Sequence, residues 1–364
     1  MAKRVGVDKW LFFTTLLLIV VGLVMVFSAS AVVAQERYHS AYALVLKQGI
    51  LAVVGFLALT ILMNVDYSVY NSPRFIYPAL SGTILLLLAV FLFPGLKGTH
   101  RWIRLGRFFN FEPSEVAKLM VVVFLAWFLS TRLDRMRDAK KTLLPAAIVP
   151  VVLMVLVVRQ PDLGTALVLG GVTAMMLMVA GMEWKYLLGA MGVAAPFLAA
   201  LLFLVPWRRE RMLVFLHPLQ DPMGAGYHIT QSLIAVGTGG LMGRGYMEGI
   251  QKLFYLPESA TDFIFANIAE ELGFIGAILL VTLFVVLGVR GFRAAFRSQD
   301  PFGRLLAFGI TATILLQAFF NISVVLSLVP AKGIPLPLIS YGGSSELFTL
   351  ISIGILLNVS RKAD

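Results

Sequence analysis

The chain has 364 residues, of which 59% are hydrophobic and 13% are charged, and its mean hydropathy is +0.89. Soluble domains contain about 45–50% apolar and about 25% charged residues, so this chain lacks the charge that a water-covered surface needs. A membrane protein fits this composition. The net charge of +11 does not indicate a nucleic-acid-binding protein, because the basic residues are spread over short connections and form no stripe on one module. Membrane topology and contact with anionic membrane lipid explain the charge better.

The residue types also limit the kinds of metal and redox site. The sequence contains no cysteine, so it has neither a disulfide framework nor a Cys-ligated metal. None of the four histidines lies four residues from another, which argues against a zinc site on a helix. We therefore predict no metal site, and a requirement for a divalent cation (Mg²⁺ or Mn²⁺) is left open.

Ten apolar stretches are long enough to cross about 30 Å of hydrocarbon. We predict a helix for each of them. The predicted fold class is therefore an all-α integral membrane protein, a polytopic bundle of about ten transmembrane helices in a single domain over residues 1–364. The predicted spans are 10–34, 43–64, 75–94, 114–131, 143–158, 163–181, 186–206, 263–290, 303–328 and 343–360.

The orientation follows from the connections between the spans. The first span is too long for a secretory signal and nine more follow it, so we expect it to remain as the first helix. Connections on the side of the N-terminus carry more lysine and arginine than those on the other side, which predicts that both termini are cytoplasmic. Two outer connections, 95–113 and 207–262, are nevertheless basic. A long loop is translocated whatever its charge, whereas the basic residues of the short connection 95–113 favour binding of an anionic group at the outer face.

Residues 207–262 are predicted to form one large extracytoplasmic loop. Their aromatic and apolar content indicates an ordered structure, and residues 228–236 are typical of a short amphipathic helix at the membrane interface. The glycine-rich run 237–245 contains neither GxGxxG nor GK[ST]. We interpret it as turns and close packing, not as a nucleotide-binding loop.

Two charged residues lie inside the fourth span. Glu115 and Lys118 are three residues apart, so they share one helix face and can form an ion pair. A charge at the centre of a bilayer costs about 2.5–3.5 kcal/mol on insertion scales, so we expect the pair to have a structural or functional role. It either joins helices or lines a polar cavity, and the two alternatives are compatible.

A carboxylate stands directly before the eighth span. Asp262 precedes the apolar run 263–290, and Glu258 lies one turn earlier. An aspartate in this place is most often an N-cap. Both carboxylates would lie on the same side of the membrane as the basic outer connections. Apolar walls can raise the pKa of a carboxylate toward that of a general base, so the second interpretation is a catalytic one.

The run 333–345 before the last span contains prolines, glycines and serines and cannot be a regular helix. Irregular backbone at membrane depth survives only when it is buried in protein or lines a cavity. The residues alone therefore predict an outward-facing polar cavity that holds acidic and basic groups. Its ligand would be an anionic amphiphile.

Several blocks resemble the signature motifs of the FtsW/RodA (SEDS) family, in family order and over essentially the whole chain. Three positions depart from the family pattern: Glu112 stands where Gln is usual, and His228 and Ala260 stand where Gln and His are expected. The blocks are HRWIRLG (100–106), FEPSEVAK (111–118), QPDLGT (160–165), GYHITQS (226–232), QKLFYLPE (251–258), TDFIF (261–265), EELG (270–273) and PAKGIPLPLISYGGSS (330–345).

The resemblance implies a ten-helix peptidoglycan glycosyltransferase. Such an enzyme polymerises lipid II, an undecaprenyl-pyrophosphate-linked disaccharide pentapeptide, at the outer face of the bacterial cytoplasmic membrane. Asp262 matches the family's catalytic carboxylate, which would take the proton of the acceptor hydroxyl during an inverting attack that forms a β-1,4 linkage. Arg101, Arg104 and Lys332 are candidates for pyrophosphate contacts. The full set of substrate-binding candidates is Glu115, Lys118, Arg101, Arg104, Glu258, Lys332 and Ser344.

Lys332 in the Pro-Ala-Lys-Gly motif favours the division-type FtsW branch over a RodA-type polymerase for elongation. That branch implies septal wall synthesis, a class B penicillin-binding transpeptidase as partner, and other divisome proteins. The alternatives are a lipid II flippase and a structural scaffold. A flippase would need half-helices in symmetric positions, and we find no such symmetry in the sequence. A scaffold would leave the charges inside the spans without a reason.

Overall fold

The computed structural model describes residues 6–95, 99–106, 109–216, 224, 226–330 and 333–362. This part of the chain contains twelve α-helices and two short strands. The helices are α1 (Lys9–Tyr38), α2 (Ala43–Leu62), α3 (Pro73–Ala89), α4 (Pro113–Ser130), α5 (Leu144–Arg159), α6 (Leu163–Val179), α7 (Trp184–Phe203), α8 (Pro206–Leu216), α9 (Tyr227–Gly239), α10 (Ile264–Arg297), α11 (Pro301–Val325) and α12 (Gly343–Lys362).

Ten of these helices coincide with the ten predicted spans. Nine helical segments of the described chain are long and apolar enough to cross a membrane, and two of them, Pro73–Leu92 and Ala139–Arg159, include short helical turns that extend α3 and α5. Helix α6, with 17 residues, is an apolar helix just below that length. The protein is therefore a multi-pass membrane protein, and the predicted all-α polytopic bundle is confirmed. The largest difference in bounds is at α10, which continues to Arg297.

The connection before α4 contains a small hairpin that the sequence analysis missed. Strands β1 (Ile103–Leu105) and β2 (Phe109–Phe111) pair antiparallel, with Arg104 opposite Asn110. A strand of three residues is too short to show the alternation that identifies strands in a sequence. The hairpin leads directly into Pro113, the first residue of α4.

The helices differ in how many of their residues are buried. Helices α4, α11 and α12 are mostly buried and form the centre of the bundle, whereas few residues of α2 and α3 are buried. Helix α7 contains no buried residue. Because lipid tails are as apolar as leucine, an apolar outer surface costs nothing here. The charged pair predicted in the fourth span thus lies on a central helix.

Helix α10 is broken at Gly273, whose φ of 67° and ψ of −167° are not helical. A glycine-rich turn fills the break: the N–H groups of Arg244 and Gly245 donate to the carbonyl groups of Glu270 and Glu271. This approach requires Gly243, since a Cβ there would lie 2.1 Å from the carbonyl oxygen of Glu271. The run 237–245 thus provides turns and close packing, as predicted.

The region 207–262, of which residues 217–223 and 225 lie outside the described chain, is more than a loop. Helix α9 covers the predicted helix 228–236 and packs against α10. The stretch that follows α9 is ordered against the bundle, with Gln251, Lys252 and Leu256 buried. The expected order is therefore present, and the position of this region outside the membrane stays a prediction.

Candidate active site

Asp262 lies directly before the N-cap position of α10. The N-cap residue is Phe263, and it makes no side-chain cap hydrogen bond, so the interpretation of Asp262 as the N-cap is wrong. The Asp262 side chain is partly exposed. A Cβ built on Gly333 would lie 2.8 Å from the Oδ2 atom of Asp262. Residues 333–342, the irregular segment, therefore form one wall beside this carboxylate.

The backbone on both sides of this contact is held by polar side chains. Asn321 of α11 donates from Nδ2 to the carbonyl oxygens of Asp262 (2.8 Å) and Ile334 (2.7 Å). Ser340 donates from Oγ to the carbonyl oxygen of Thr261 at 2.5 Å. A single amide thus fixes the irregular segment to the residue that carries the carboxylate. The protein itself satisfies these backbone groups, as irregular backbone inside a membrane protein requires.

The predicted ion pair in α4 is confirmed. The Nζ atom of Lys118 lies 2.9 Å from Oε2 of Glu115, and both side chains are buried. Lys118 also donates to Oε1 of Gln317 at 2.5 Å, and Gln317 donates from Nε2 to the carbonyl oxygen of Pro335 at 2.9 Å. A chain of hydrogen bonds therefore connects α4 through α11 to the irregular segment.

The same pair borders a small cavity of about 20 Å³. Glu115, Lys118 and Gln317 contribute charged and polar atoms to its lining. A polar cavity of this size accommodates about one water molecule. The pair therefore does both things that the sequence analysis considered, since it joins helices and lines a polar space.

Arg101 is held by the turn that starts α6. Its Nη2 atom donates to the carbonyl oxygen of Pro161, and its Nη1 atom lies 3.9 Å from Oδ1 of Asp162. Asp162 in turn caps α6 by accepting from the Thr165 N–H at 3.0 Å. The Nε atom of Arg101 is buried and makes no hydrogen bond in this structure. Arg101 thus orders the neighbouring turn, and its contact with a pyrophosphate stays a prediction.

Arg211 in α8 is a basic residue that our list of site candidates lacked. The side chain is exposed, whereas its guanidinium is partly desolvated, and this desolvation lowers the pKa of Arg211. The positive charge of Arg101 lowers it further, and the carboxylate of Asp262 opposes both effects. Arg211 therefore lies within electrostatic reach of Arg101 and Asp262. The basic run 208–211 was the signal that could have indicated it.

The other predicted site residues have different surroundings. Glu258 is exposed in the turn that precedes Asp262, and Arg104 is exposed on β1. Ser344 is buried in the first turn of α12. Lys332 lies outside the described residues. The roles of these four residues in substrate binding stay predictions.

Glu112, at the end of the hairpin, has a raised pKa. The pKa of its carboxyl is raised from 4.5 to about 8, first by desolvation and then by the carboxylates of Glu115 and Asp162. The positive charges of Arg101 and Lys118 oppose this shift. Glu112 is one of the three positions that depart from the pattern of the family that the signature blocks resemble, in which Gln is usual here. A neutral carboxylic acid at this position can replace that amide.

We expect the substitution Glu112→Gln to change how stability depends on pH. Because the pKa of Glu112 is about 8 in the folded protein and near 4.5 when exposed, the folded chain binds a proton in this range that the unfolded chain lacks. The contribution of Glu112 to stability therefore falls as the pH rises from about 5 to about 8. Thermal unfolding in detergent should show the variant gaining in Tm over the wild type across this range. A difference in Tm between variant and wild type that is the same at about pH 5 and about pH 8 would contradict the expectation. The control is Glu36→Gln, the same substitution at an exposed position.

Comparison with known proteins identifies the family. Residues 9–364 match the FtsW/RodA/SpoVE family model, whose description is "Cell cycle protein". The chain belongs to this family. A probable peptidoglycan glycosyltransferase FtsW of Geobacter metallireducens is 44% identical over 345 residues, which cover 94% of this chain and 91% of that protein. Stage V sporulation protein E of Bacillus subtilis is 40% identical over 365 residues, which cover 99% of this chain and 98% of that protein.

A solved structure of a member of "a peptidoglycan synthase complex" has the same fold. It superimposes with a TM-score of 0.80 at 29% sequence identity, and the match covers 99% of both chains. The study that describes it concerns the structural coordination of polymerization and crosslinking. The family that the signature blocks indicated is thus confirmed by sequence and by fold.

Gln317 and Asn321 are the site residues that the sequence analysis overlooked most clearly. They lie four residues apart in an apolar span, so they share one helix face. Two amides on one face of a membrane helix are a recognisable signal, because polar groups inside a membrane protein need partners. Their partners on the irregular segment, however, could not be derived from spacing.

Proposed function

We propose that this protein is a peptidoglycan glycosyltransferase that polymerises lipid II into β-1,4-linked glycan strands. One observation carries the proposal: the partly exposed carboxylate of Asp262 lies beside Gly333 of the irregular segment, and the guanidinium of Arg211 is within electrostatic reach of both this carboxylate and the guanidinium of Arg101. This arrangement combines a base with cations. A sugar transfer that releases a pyrophosphate needs both.

In the proposed reaction Asp262 accepts the proton of the acceptor sugar hydroxyl. The hydroxyl oxygen then attacks the anomeric carbon of the lipid-linked donor and forms the new C–O bond. The bond from that carbon to the pyrophosphate breaks, and undecaprenyl pyrophosphate leaves with the electron pair. Attack from the face opposite the leaving group inverts the anomeric configuration. Arg101, Arg104, Arg211 and Lys332 are the proposed cations that stabilise the charge on the leaving group.

The proposed place of this reaction is the outer face of the bacterial cytoplasmic membrane, with both chain termini in the cytoplasm. Positive charge in the connections supports this orientation. The absence of native cysteine makes it testable with single cysteines at exposed positions. We expect Arg104→Cys and Glu248→Cys to react with an impermeant thiol reagent in intact cells, and Arg137→Cys and Gln299→Cys to be protected. The reverse pattern would overturn the orientation.

The proposed partners are a class B penicillin-binding transpeptidase and other divisome proteins. The fold match to a member of a complex that polymerises and crosslinks peptidoglycan supports the first of these. The relatives named FtsW support a role in division over a RodA-type role in elongation. No feature of the described residues favours the flippase or the scaffold.

The test of the proposed function is a polymerisation assay with purified protein and labelled lipid II. We expect a ladder of glycan products on a gel, formed without any other polymerase. If the protein is folded, supplied with its transpeptidase, and still makes no polymer, the proposed function is wrong. Translocation of lipid II across vesicles without polymer would identify a flippase instead.

A further inference from the structure

A second buried ionic cluster lies away from the Glu115–Lys118 pair and has no role in the proposed chemistry. The Nζ atom of Lys252 lies 2.6 Å from Oε1 of Glu271 and 2.8 Å from Oγ of Ser28. The hydroxyl of Ser28 donates to both carboxylate oxygens of Glu271, at 2.6 and 2.7 Å. All three side chains are buried, at 3% exposure or less. This cluster joins α1, α10 and the stretch before Asp262.

The stretch 247–262, which we call the anchor segment, is bound along one face of α10. Asn267, Glu270 and Glu271 have the spacing of one helix face, and each contacts the backbone of the anchor segment. Their partners are the carbonyl oxygen of Ser259 for Asn267 (2.8 Å), the N–H groups of Ile250 (2.9 Å) and Gln251 (3.2 Å) for Glu270, and the N–H group of Met247 (3.0 Å) for Glu271.

These contacts have an order that matters for Asp262. As α10 proceeds from Asn267 to Glu271, its partners on the anchor segment run backward from 259 to 247. The segment therefore lies antiparallel to the first turns of α10. Its other end is held by Asn321, which donates to the carbonyl oxygen of Asp262. The position of the carboxylate depends on attachment at both ends.

The two glutamates differ in what stabilises their charge. Backbone N–H groups are the described partners of Glu270, whereas Glu271 also has Lys252. A buried carboxylate that loses its cation is strongly destabilised, while a pair that loses both charges together is often tolerated. Stability alone therefore does not require the pair. Both members of the Lys252–Glu271 pair also form hydrogen bonds with Ser28, and these bonds connect the anchor segment to α1.

We propose that Lys252 is a positioning residue for the glycosyl transfer. By binding Glu271 and Ser28 together it fixes the anchor segment between α1 and α10, and in this way it sets the position of the Asp262 carboxylate. The inference rests on the proposed function, because it assumes that Asp262 is the base. A displacement of about 1 Å at a reacting group can cost about 100-fold in rate.

The test compares Lys252→Met with the double variant Lys252→Met/Glu271→Gln. The single variant should lose both thermal stability and kcat, because it leaves a buried carboxylate unpaired. The double variant should recover Tm, since the amide oxygen introduced at position 271 can still accept from Ser28 and Met247, while its kcat stays at least about 10-fold low with KM unchanged. Recovery of kcat together with Tm would overturn the proposal, because the pair would then be structural only.

The matched control is the ion pair between Arg290 and Asp8. It also joins α10 to the start of α1, with Nη2 of Arg290 2.6 Å from Oδ2 of Asp8, but it lies at the other end of α10. Arg290→Met should leave kcat within about twofold of the wild type, because it does not contact the anchor segment. A loss of kcat equal to that of Lys252→Met would contradict a local role for Lys252.

Hydrogen exchange gives a readout that does not depend on activity. The amides of Met247, Ile250 and Gln251 should exchange faster in both Lys252 variants and at the wild-type rate in Arg290→Met. Unchanged exchange over 247–262 would overturn the proposal even if polymerisation is lost. If the wild type forms no glycan while the amides exchange faster in the Lys252 variants, the proposed function is wrong, but the role of Lys252 in fixing the anchor segment is supported.

Discussion

Replacing Asp262 with asparagine is expected to abolish glycan polymerisation while the protein still folds and binds lipid II. Asparagine has nearly the same size and cannot accept the proton of the acceptor hydroxyl. A general base contributes about 10²–10⁴-fold in rate, so the loss should be at least about 100-fold. The fold should be retained because Asn321 contacts the backbone carbonyl of Asp262, which the substitution does not alter. The measurement is gel-resolved product from labelled lipid II beside Tm.

The control for this experiment is Glu36→Gln, the same change of carboxylate to amide at an exposed position on α1. It should polymerise like the wild type. The asparagine side chain keeps an oxygen that can accept hydrogen bonds, so a large fall in Tm is not expected for Asp262→Asn. Normal polymer from this variant would remove Asp262 as the base and would leave the rest of the site to be reassigned.

The substitution Lys118→Met is expected to cause the second large effect, on both stability and activity. It leaves the buried carboxylate of Glu115 without its cation and the amide oxygen of Gln317 without its donor. Loss of one partner from a buried ion pair costs about 3–5 kcal/mol. Because Gln317 also holds the carbonyl of Pro335, the irregular segment should loosen and polymerisation should be lost. Thermal unfolding and the lipid II assay measure the two effects.

Two further variants test whether the loss of stability comes from leaving a buried charge unpaired. Lys118→Met combined with Glu115→Gln should regain much of the stability, because no unpaired charge remains in the interior. Lys185→Met removes the exposed partner of Glu183 at 2.7 Å and should change Tm little, because solvent screens that pair. If Glu115→Gln and Lys118→Met each keep near-normal expression and activity, the pair is needed neither for stability nor for polymerisation.

The helices and the charged pair could be predicted because each follows from a local rule. The bilayer fixes how long an apolar run must be, so the ten spans could be placed from sequence, all but the end of α10 to within five residues. Glu115 and Lys118 share a helix face by spacing alone, and the structure shows them 2.9 Å apart. The irregular backbone of 333–342 followed from its prolines and glycines.

The remaining features depend on contacts between distant residues, which spacing does not reveal. Ser28 and Glu271 are 243 positions apart, and in the sequence Lys252 is only one of several basic residues in the connection 207–262. The N-cap interpretation of Asp262 also failed, because helix α10 begins two residues later, at Ile264. A rule that places the N-cap directly before an apolar run locates a helix start only to within one or two residues.

Helix α7 differs from the rest of the bundle because none of its residues is buried. A core helix is constrained by the shapes of its neighbours, since a changed side chain leaves a void or a clash. In a bilayer, the exposed apolar side chains of α7 meet fluid acyl chains, which adapt to any apolar side chain. Leucine, valine, methionine and phenylalanine are therefore interchangeable along most of α7, and its sequence should drift between related proteins more freely than that of α4 or α11. Length and hydropathy are what selection can preserve in this helix.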